Sequence, residues 1–268
     1  MDFSGTRLIR LVCSLALLVL LALGTTGRAS ASSIIYVKYH APGANNGTSW
    51  TNAYKSLQKA LDVAKSGQQI WVAKGTYKPT LATDPMDPRS KSFSLTDGVA
   101  IYGGFAGTET LLSQRNWNTN VTILSGDIGL AGEPGDNSYR VVIAGEIGST
   151  AILDGFTITA GRADGTIANY GGGIANISSA PTLRNLKIRS NYAATDGGGM
   201  YNGGATPTLT NVAFLNNTAT YGGGMYDDTS SPTLTNVTFT GNAAEHIGSN
   251  YGHGGGWRTL TAARNSAM

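Results

Sequence analysis

Two tyrosines 25 residues apart are the side chains best placed to form a recognition surface in this chain. Tyr201 follows Met200 and Tyr226 follows Met225; Asn202 comes next in one case, Asp227 and Asp228 in the other. If the methionines point inward, the two phenol rings stack on an outer wall beside Asn202, Asp227 and Asp228. A flat aromatic pair flanked by amides and carboxylates suits a sugar ring or a partner protein. An aromatic ladder that only supports pairing between neighbouring strands fits the same residues. Metal chemistry is not expected, because His40, His246 and His253 show no ligand spacing. The glycine triplets lack both the Lys-Ser/Thr of a phosphate loop and the recurrent Asp of a calcium-binding roll. No catalytic residue, metal site or cofactor is therefore assigned.

The tyrosines sit inside a repeat that must position them. Gly171-Gly172-Gly173, Gly197-Gly198-Gly199 and Gly222-Gly223-Gly224 each open a unit, 26 and then 25 residues apart. Each unit runs on through Pro-Thr-Leu at 181, 207 and 232, an asparagine at Asn185, Asn211 and Asn236, and a second at Asn191, Asn217 and Asn242. A fixed period of this length marks a solenoid, whose units bury their apolar faces only by stacking on one another.

The phase of the apolar residues identifies strands. In Leu209-Thr210-Asn211-Val212-Ala213-Phe214, Leu209 and Asn211 share one parity while Val212 and Phe214 share the other. Strand side chains alternate with period two, so inward runs of changing parity require a bend, which falls at Asn211. Asparagine tolerates left-handed backbone, and its amide can bond to an identical amide one coil away. Asn185 and Asn236 repeat the pattern. Asn191, Asn217 and Asn242, three residues past the last apolar position, are expected to shift the parity again. Stacked about 4.8 Å apart, such coils put each Asn and each Leu over its equivalent. Glycine triplets suit sharp turns or places where coils crowd and no Cβ fits. Helical arrays are disfavoured by the absence of a helical apolar period and the abundance of Gly, Pro, Thr and Asn.

Of 268 residues, 37 are Gly and 13% are charged, yet 41% are hydrophobic, which leaves enough for one elongated core rather than disorder. Residues 1–31 read as a cleaved export signal: Arg7 and Arg10, an apolar run from Leu11 to Leu23, then Ala29-Ser30-Ala31. That run is short for a bilayer span, and none is expected in the mature chain. Cys13, the only cysteine, lies within it, so no disulfide framework follows. The remaining 16 basic and 15 acidic residues give no footprint for nucleic acid or an anionic membrane. The expected location is secreted or at the cell surface.

Along the mature chain, residues 32–78 are expected to form an N-terminal cap. Its first strand is Ile34–Val37, and Tyr54, Leu57, Leu61 and Ala64 give one amphipathic helix with Thr51 or Asn52 as N-cap and Gly67 as the stop. Laid across the open first coil, that helix would close it. Residues 79–91 form a polar loop insertion, 92–170 irregular coils, 171–256 the regular repeats, and 257–268 an incomplete last coil. Leu153–Ile158 is a divergent unit with Gly155 and Gly161 at the two Asn positions. The incomplete coil would leave an open sheet face through which the chain self-associates.

The opening I-Y-V, N-G-T-S-W, W-V-A-K-G-T-Y-K-P-T and G-V-A-I-Y-G-G-F-A-G-T-E-T (98–110) resemble bacterial secreted right-handed β-helix repeat proteins with a pectate-lyase-like fold. The G-G-G-[IM] units, with Phe214-Leu215-Asn216-Asn217 and Phe239-Thr240-Gly241-Asn242, resemble the GGA(I/L/V) and FxxN repeats of polymorphic outer-membrane proteins. The resemblance implies an all-β, right-handed single-stranded parallel β-helix with a short capping α-helix. It also implies export or surface display, and an adhesin that contacts a polysaccharide or a host or neighbouring cell-surface molecule.

The same fold hosts polysaccharide-degrading enzymes. Tyr226-Asp227-Asp228 and Gly252-His253-Gly254 resemble motifs of polygalacturonases, in which paired carboxylates activate water and protonate the leaving sugar. However, Asp227 comes three residues after its triplet and His253 one residue before its own, so stacked triplets would separate them. Asp227 reads better as a repeat variant of Asn176 and Asn202. Pectate-lyase chemistry needs a carboxylate cluster for Ca²⁺, and none recurs near Arg184, Lys187 and Arg189, which read as a solvated face. The expectation is adhesion or glycan contact without catalysis, with a polygalacturonase- or pectate-lyase-like enzyme as the alternative.

Overall fold

Parallel pairing dominates the chain. The computed structural model describes residues 33–245 and 255–260. Within these, all pairs of named strands run parallel, in sheets of ten, six and four strands. A regular coil visits the three in turn. Met200–Gly203 lies in the six-stranded sheet, Thr208–Leu215 in the ten-stranded one and Thr218–Tyr221 in the four-stranded one. Met225–Asp228, Thr233–Thr240 and Ala243–Ala244 then repeat the circuit. The result is a solenoid of stacked coils, as the repeat predicts.

Register follows the repeat residue by residue. Leu183 pairs with Leu209 and Leu209 with Leu234, and Ile188, Phe214 and Phe239 form a second column. Leu183, Leu209 and Phe214 are completely buried, and the Phe214 and Phe239 rings stack 4.8 Å apart. Asn185, Asn211 and Asn236 take φ of +51°, +56° and +52°, the left-handed bend expected from the parity change. The pieces on either side nevertheless remain one eight-residue strand, with ladder pairing skipped only at the Asn. In the divergent unit Gly155 fills this place with φ +87°, and there the strand does break, into Ile152–Asp154 and Thr157–Thr159.

The second bend differs from expectation by one residue. Left-handed φ falls at Ser190, Asn216 and Gly241, immediately before Asn191, Asn217 and Asn242. The turn upstream swings these asparagines into the interior, where Asn191 and Asn217 are 2% and 0% exposed. Their amides then serve hydrogen bonding rather than turning.

The glycine triplets divide two tasks. Gly197 takes φ +63°, costly for other residues, whereas a Cβ on Gly198 or Gly199 would collide with the carbonyl oxygens of Thr218 or Gly224 one coil on.

The cap helix is shorter than its apolar spacing suggests, Leu57–Val63 with Ser56 as N-cap. Tyr54 is drawn into sheet pairing with Val37: its N–H donates to the Tyr36 carbonyl at 2.8 Å and its carbonyl accepts from Lys38 N–H at 2.9 Å. Those bonds keep its backbone extended and displace the helix start from Thr51 or Asn52. Leu57, Ala60 and Leu61 are buried in the main core with Val37 and Ile70, and the helix packs on strands Ile34–Val37 and Gln69–Ala73. The 79–91 segment carries a 3-10 turn, Pro88–Ser90, and is tied to the coils by Arg89. The Arg89 guanidinium pairs with Asp164 at 2.6 Å, donates to the Asn137 carbonyl at 2.7 Å and covers the Tyr139 ring.

No described helix is long and apolar enough to cross a membrane. The expected export signal lies outside the described residues, as do His246 and His253.

Candidate functional site

The outer face of the six-stranded sheet carries a column of tyrosines. Strands Ile174–Ile177, Met200–Gly203 and Met225–Asp228 align Ala175, Tyr201 and Tyr226, and Arg258 follows in the next coil. Met200 and Met225 are fully buried, so alternation turns Tyr201 and Tyr226 outward. Their rings stack with centroids 6.0 Å apart and planes 8° from parallel. Tyr170, just before its triplet, extends the column with its ring 4.4 Å from that of Tyr201. Arg140 lies 4.1 Å over the Tyr170 ring, and its Nε donates to the Tyr170 carbonyl at 3.1 Å. Tyr226 is only 6% exposed, whereas Tyr170 and Tyr201 are half-buried. The accessible rings are therefore Tyr170 and Tyr201.

Polar groups gather beside them. Tyr201 Oη donates to Asp228 at 3.1 Å. Asp196 and Tyr221 occupy the places before the next two triplets: Gly171 N–H donates to the Asp196 carbonyl at 2.9 Å and Gly197 N–H to that of Tyr221 at 3.0 Å. Arg258 covers the Tyr221 ring at 4.8 Å. Burial, the charge of Asp228 and the hydrogen bond to it all push the Tyr201 phenol above its ordinary value. Tyr226 rises for want of hydration and from the Asp196 charge. The Asp196 carboxyl also rises, burial outweighing its Thr195 hydrogen bond and the nearby Arg258 charge. The Tyr201 and Tyr226 phenols are therefore held neutral at ordinary pH, so that a hydroxyl donor and a ring face are presented together at Tyr201.

Asn202 and Asp227 are not on this wall. Both are 0% exposed, on the same inward face as Met200 and Met225. Asn176 Nδ2 donates to Asn202 at 2.7 Å and Asn202 Nδ2 to Asp227 at 2.6 Å, and the Trp257 indole N–H also reaches Asp227. The alternation that turns the tyrosines to the outer face places the residue after each of them inside. The expectation that amides and carboxylates flank the rings therefore fails for Asn202 and Asp227, and only the Asp228 carboxylate stands beside them. Asp227 and Asp228 also face opposite sides of their strand, so they do not flank a common glycosidic bond.

The other asparagines form two more files. Asn236 donates to Asn211 at 2.8 Å, Asn211 to Asn185 at 3.1 Å, and Asn185 to Asp154 at 2.7 Å. Asp154 in turn pairs with Arg115 at 2.9 Å, and both of these side chains are largely buried. In the interior, Asn191 donates to Asn217 at 3.0 Å and Asn217 to Asn242 at 2.9 Å. Arg184, Lys187 and Arg189 are exposed.

Tyr170, Asp196, Tyr221, Arg140 and Arg258 were not picked out from the sequence. Three of them were detectable there, since Tyr170, Asp196 and Tyr221 all immediately precede a glycine triplet. The two arginines have no equivalent repeat signal.

No protein-family model matches the chain, and no curated protein or solved structure is significantly similar to it.

Proposed function

We propose that the chain is an exported right-handed parallel β-helix whose tyrosine wall binds a glycan or a partner protein at a cell surface, without catalysis. The right hand rests on the strong preference of parallel crossovers for that sense. Export rests on the basic-apolar-small pattern of residues 1–31. The kinship with polymorphic outer-membrane repeats rests on the GGG and FxxN units alone.

The observation that carries the binding role is the alignment of Tyr170 and Tyr201 over adjacent coils, with the Asp228 carboxylate and the Arg140 guanidinium beside them. Sugar rings stack on such faces while their hydroxyls pair with the neighbouring charged groups. The double variant Tyr170→Ala, Tyr201→Ala is expected to lose at least tenfold in affinity for whichever glycans the parent binds on an array, with its circular dichroism unchanged. Unaltered array and cell-binding signals would leave the tyrosines with only their role in coil pairing. The enzyme alternative predicts reducing sugar or unsaturated product from pectins, a measurement made on the same preparation.

A further inference from the structure

A second surface stands out by charge. From residue 33 to 80 the chain holds six lysines and a single acidic residue, Asp62, whereas residues 81–268 hold ten basic and fourteen acidic ones. The near-neutral total conceals a cationic cap on an acidic shaft. Three of the six lysines, Lys55, Lys74 and Lys78, line one cleft of about 620 Å³ together with His40, Tyr39 and Tyr77. A shallower hollow of about 400 Å³ continues it past Tyr39, His40 and Lys55.

The cleft has a fixed floor and a free rim. Tyr77 is 3% exposed and its hydroxyl donates to the Ala73 carbonyl at 2.9 Å. Tyr39 is 56% exposed, with its ring edge-on to His40 at 4.5 Å. Lys78 lies 3.6 Å from Asp127, while Lys55 and Lys74 have no acidic partner among the described residues. Unneutralised ammonium groups in a concave site concentrate anions, and an exposed ring beside them takes the face of a sugar.

We infer that this cleft binds an acidic polysaccharide, one whose sugar rings carry sulfate or carboxylate. The continuing hollow favours a chain over a single sugar. All six cations are lysine, point charges suited to isolated anionic substituents, whereas a nucleic acid backbone is better met by the planar fork of arginine. The inference is independent of the tyrosine wall, because none of its residues belongs to that column.

The test uses immobilised heparin as the sulfated probe and polygalacturonate as the carboxylated one, at low salt. Lys55→Ala, Lys74→Ala, Lys78→Ala together should weaken binding about 30-fold. The charge-matched triple Lys59→Ala, Lys65→Ala, Lys187→Ala, all exposed positions outside the cleft, should stay within about threefold of the parent. Preference for heparin assigns sulfate and preference for polygalacturonate assigns carboxylate. Equal losses in the two triples, no binding to either probe, or tighter binding to single-stranded DNA than to both would overturn the proposal. Replacing Tyr170 and Tyr201 should leave heparin binding intact, so failure of either surface is read separately.

Discussion

Two files of asparagine run along this solenoid at the same repeat, yet they do different physical work. In the outer file, Asn185, Asn211 and Asn236, the residue itself takes left-handed backbone and Asn211 and Asn236 are exposed. In the inner file, Asn191, Asn217 and Asn242, the left-handed backbone belongs to the residue before, and the Asn191 and Asn217 amides are turned into the core. Asn217 is the fullest case. It donates to Asn242 and to the Ile188 carbonyl at 2.8 Å, and accepts from both the side chain and the N–H of Asn191. One file is retained for its backbone tolerance and the other for hydrogen bonds that water cannot replace. Identical letters in a repeat therefore do not imply identical costs of change.

The largest expected effect lies where the outer file runs into the interior. Arg115→Met should leave Asp154 buried without its ion partner and cost about 4 kcal/mol in urea unfolding; a cost under about 1 kcal/mol would show that the file needs no cationic end. Asn217→Ala comes next, at about 3 kcal/mol, because several buried groups lose their partners at once. Asn211→Ala should cost only about 1 kcal/mol, mostly the left-handed strain, and Asn211→Gly should restore the parent stability to within a few tenths. If glycine fails to rescue, the exposed amide contacts matter more than the comparison allows. The smallest effect is expected at Ser190, the left-handed residue before Asn191. Ser190→Gly should shift stability by no more than about 0.5 kcal/mol in calorimetry, and a large loss there would move the turning role back onto Asn191.

Much of the architecture was legible in the sequence, because a repeat writes its register into the chain. The Leu columns, the first bend and the crowded triplets all follow from spacing plus the period-two rule, and each is found where that rule puts it. The helix start was not legible. Tyr54 fits a helical apolar period, and only its long-range pairing with Val37 shows that the sheet claims it. The inward file of Asn176, Asn202 and Asp227 escaped for the opposite reason. Polar residues are read as facing water, and burying them is tolerable only because each finds its partner one coil away, a condition local sequence does not display. The tyrosine wall was half visible for the same reason: Tyr201 and Tyr226 share the outer face, although only Tyr201 keeps an accessible ring, and Asn202 and Asp227 turn inward.

Asp227 also sets grammar for the array. A carboxylate can receive amide protons but has none to give, so the file arriving from Asn176 through Asn202 terminates there, with the Trp257 indole as a second donor. Inserting another copy of the coil that contains Asn202 would lengthen that file without conflict. Copying the coil that contains Asp227 would set two acceptors face to face in a dry interior, so the natural unit for extending this protein is fixed by a single acidic letter.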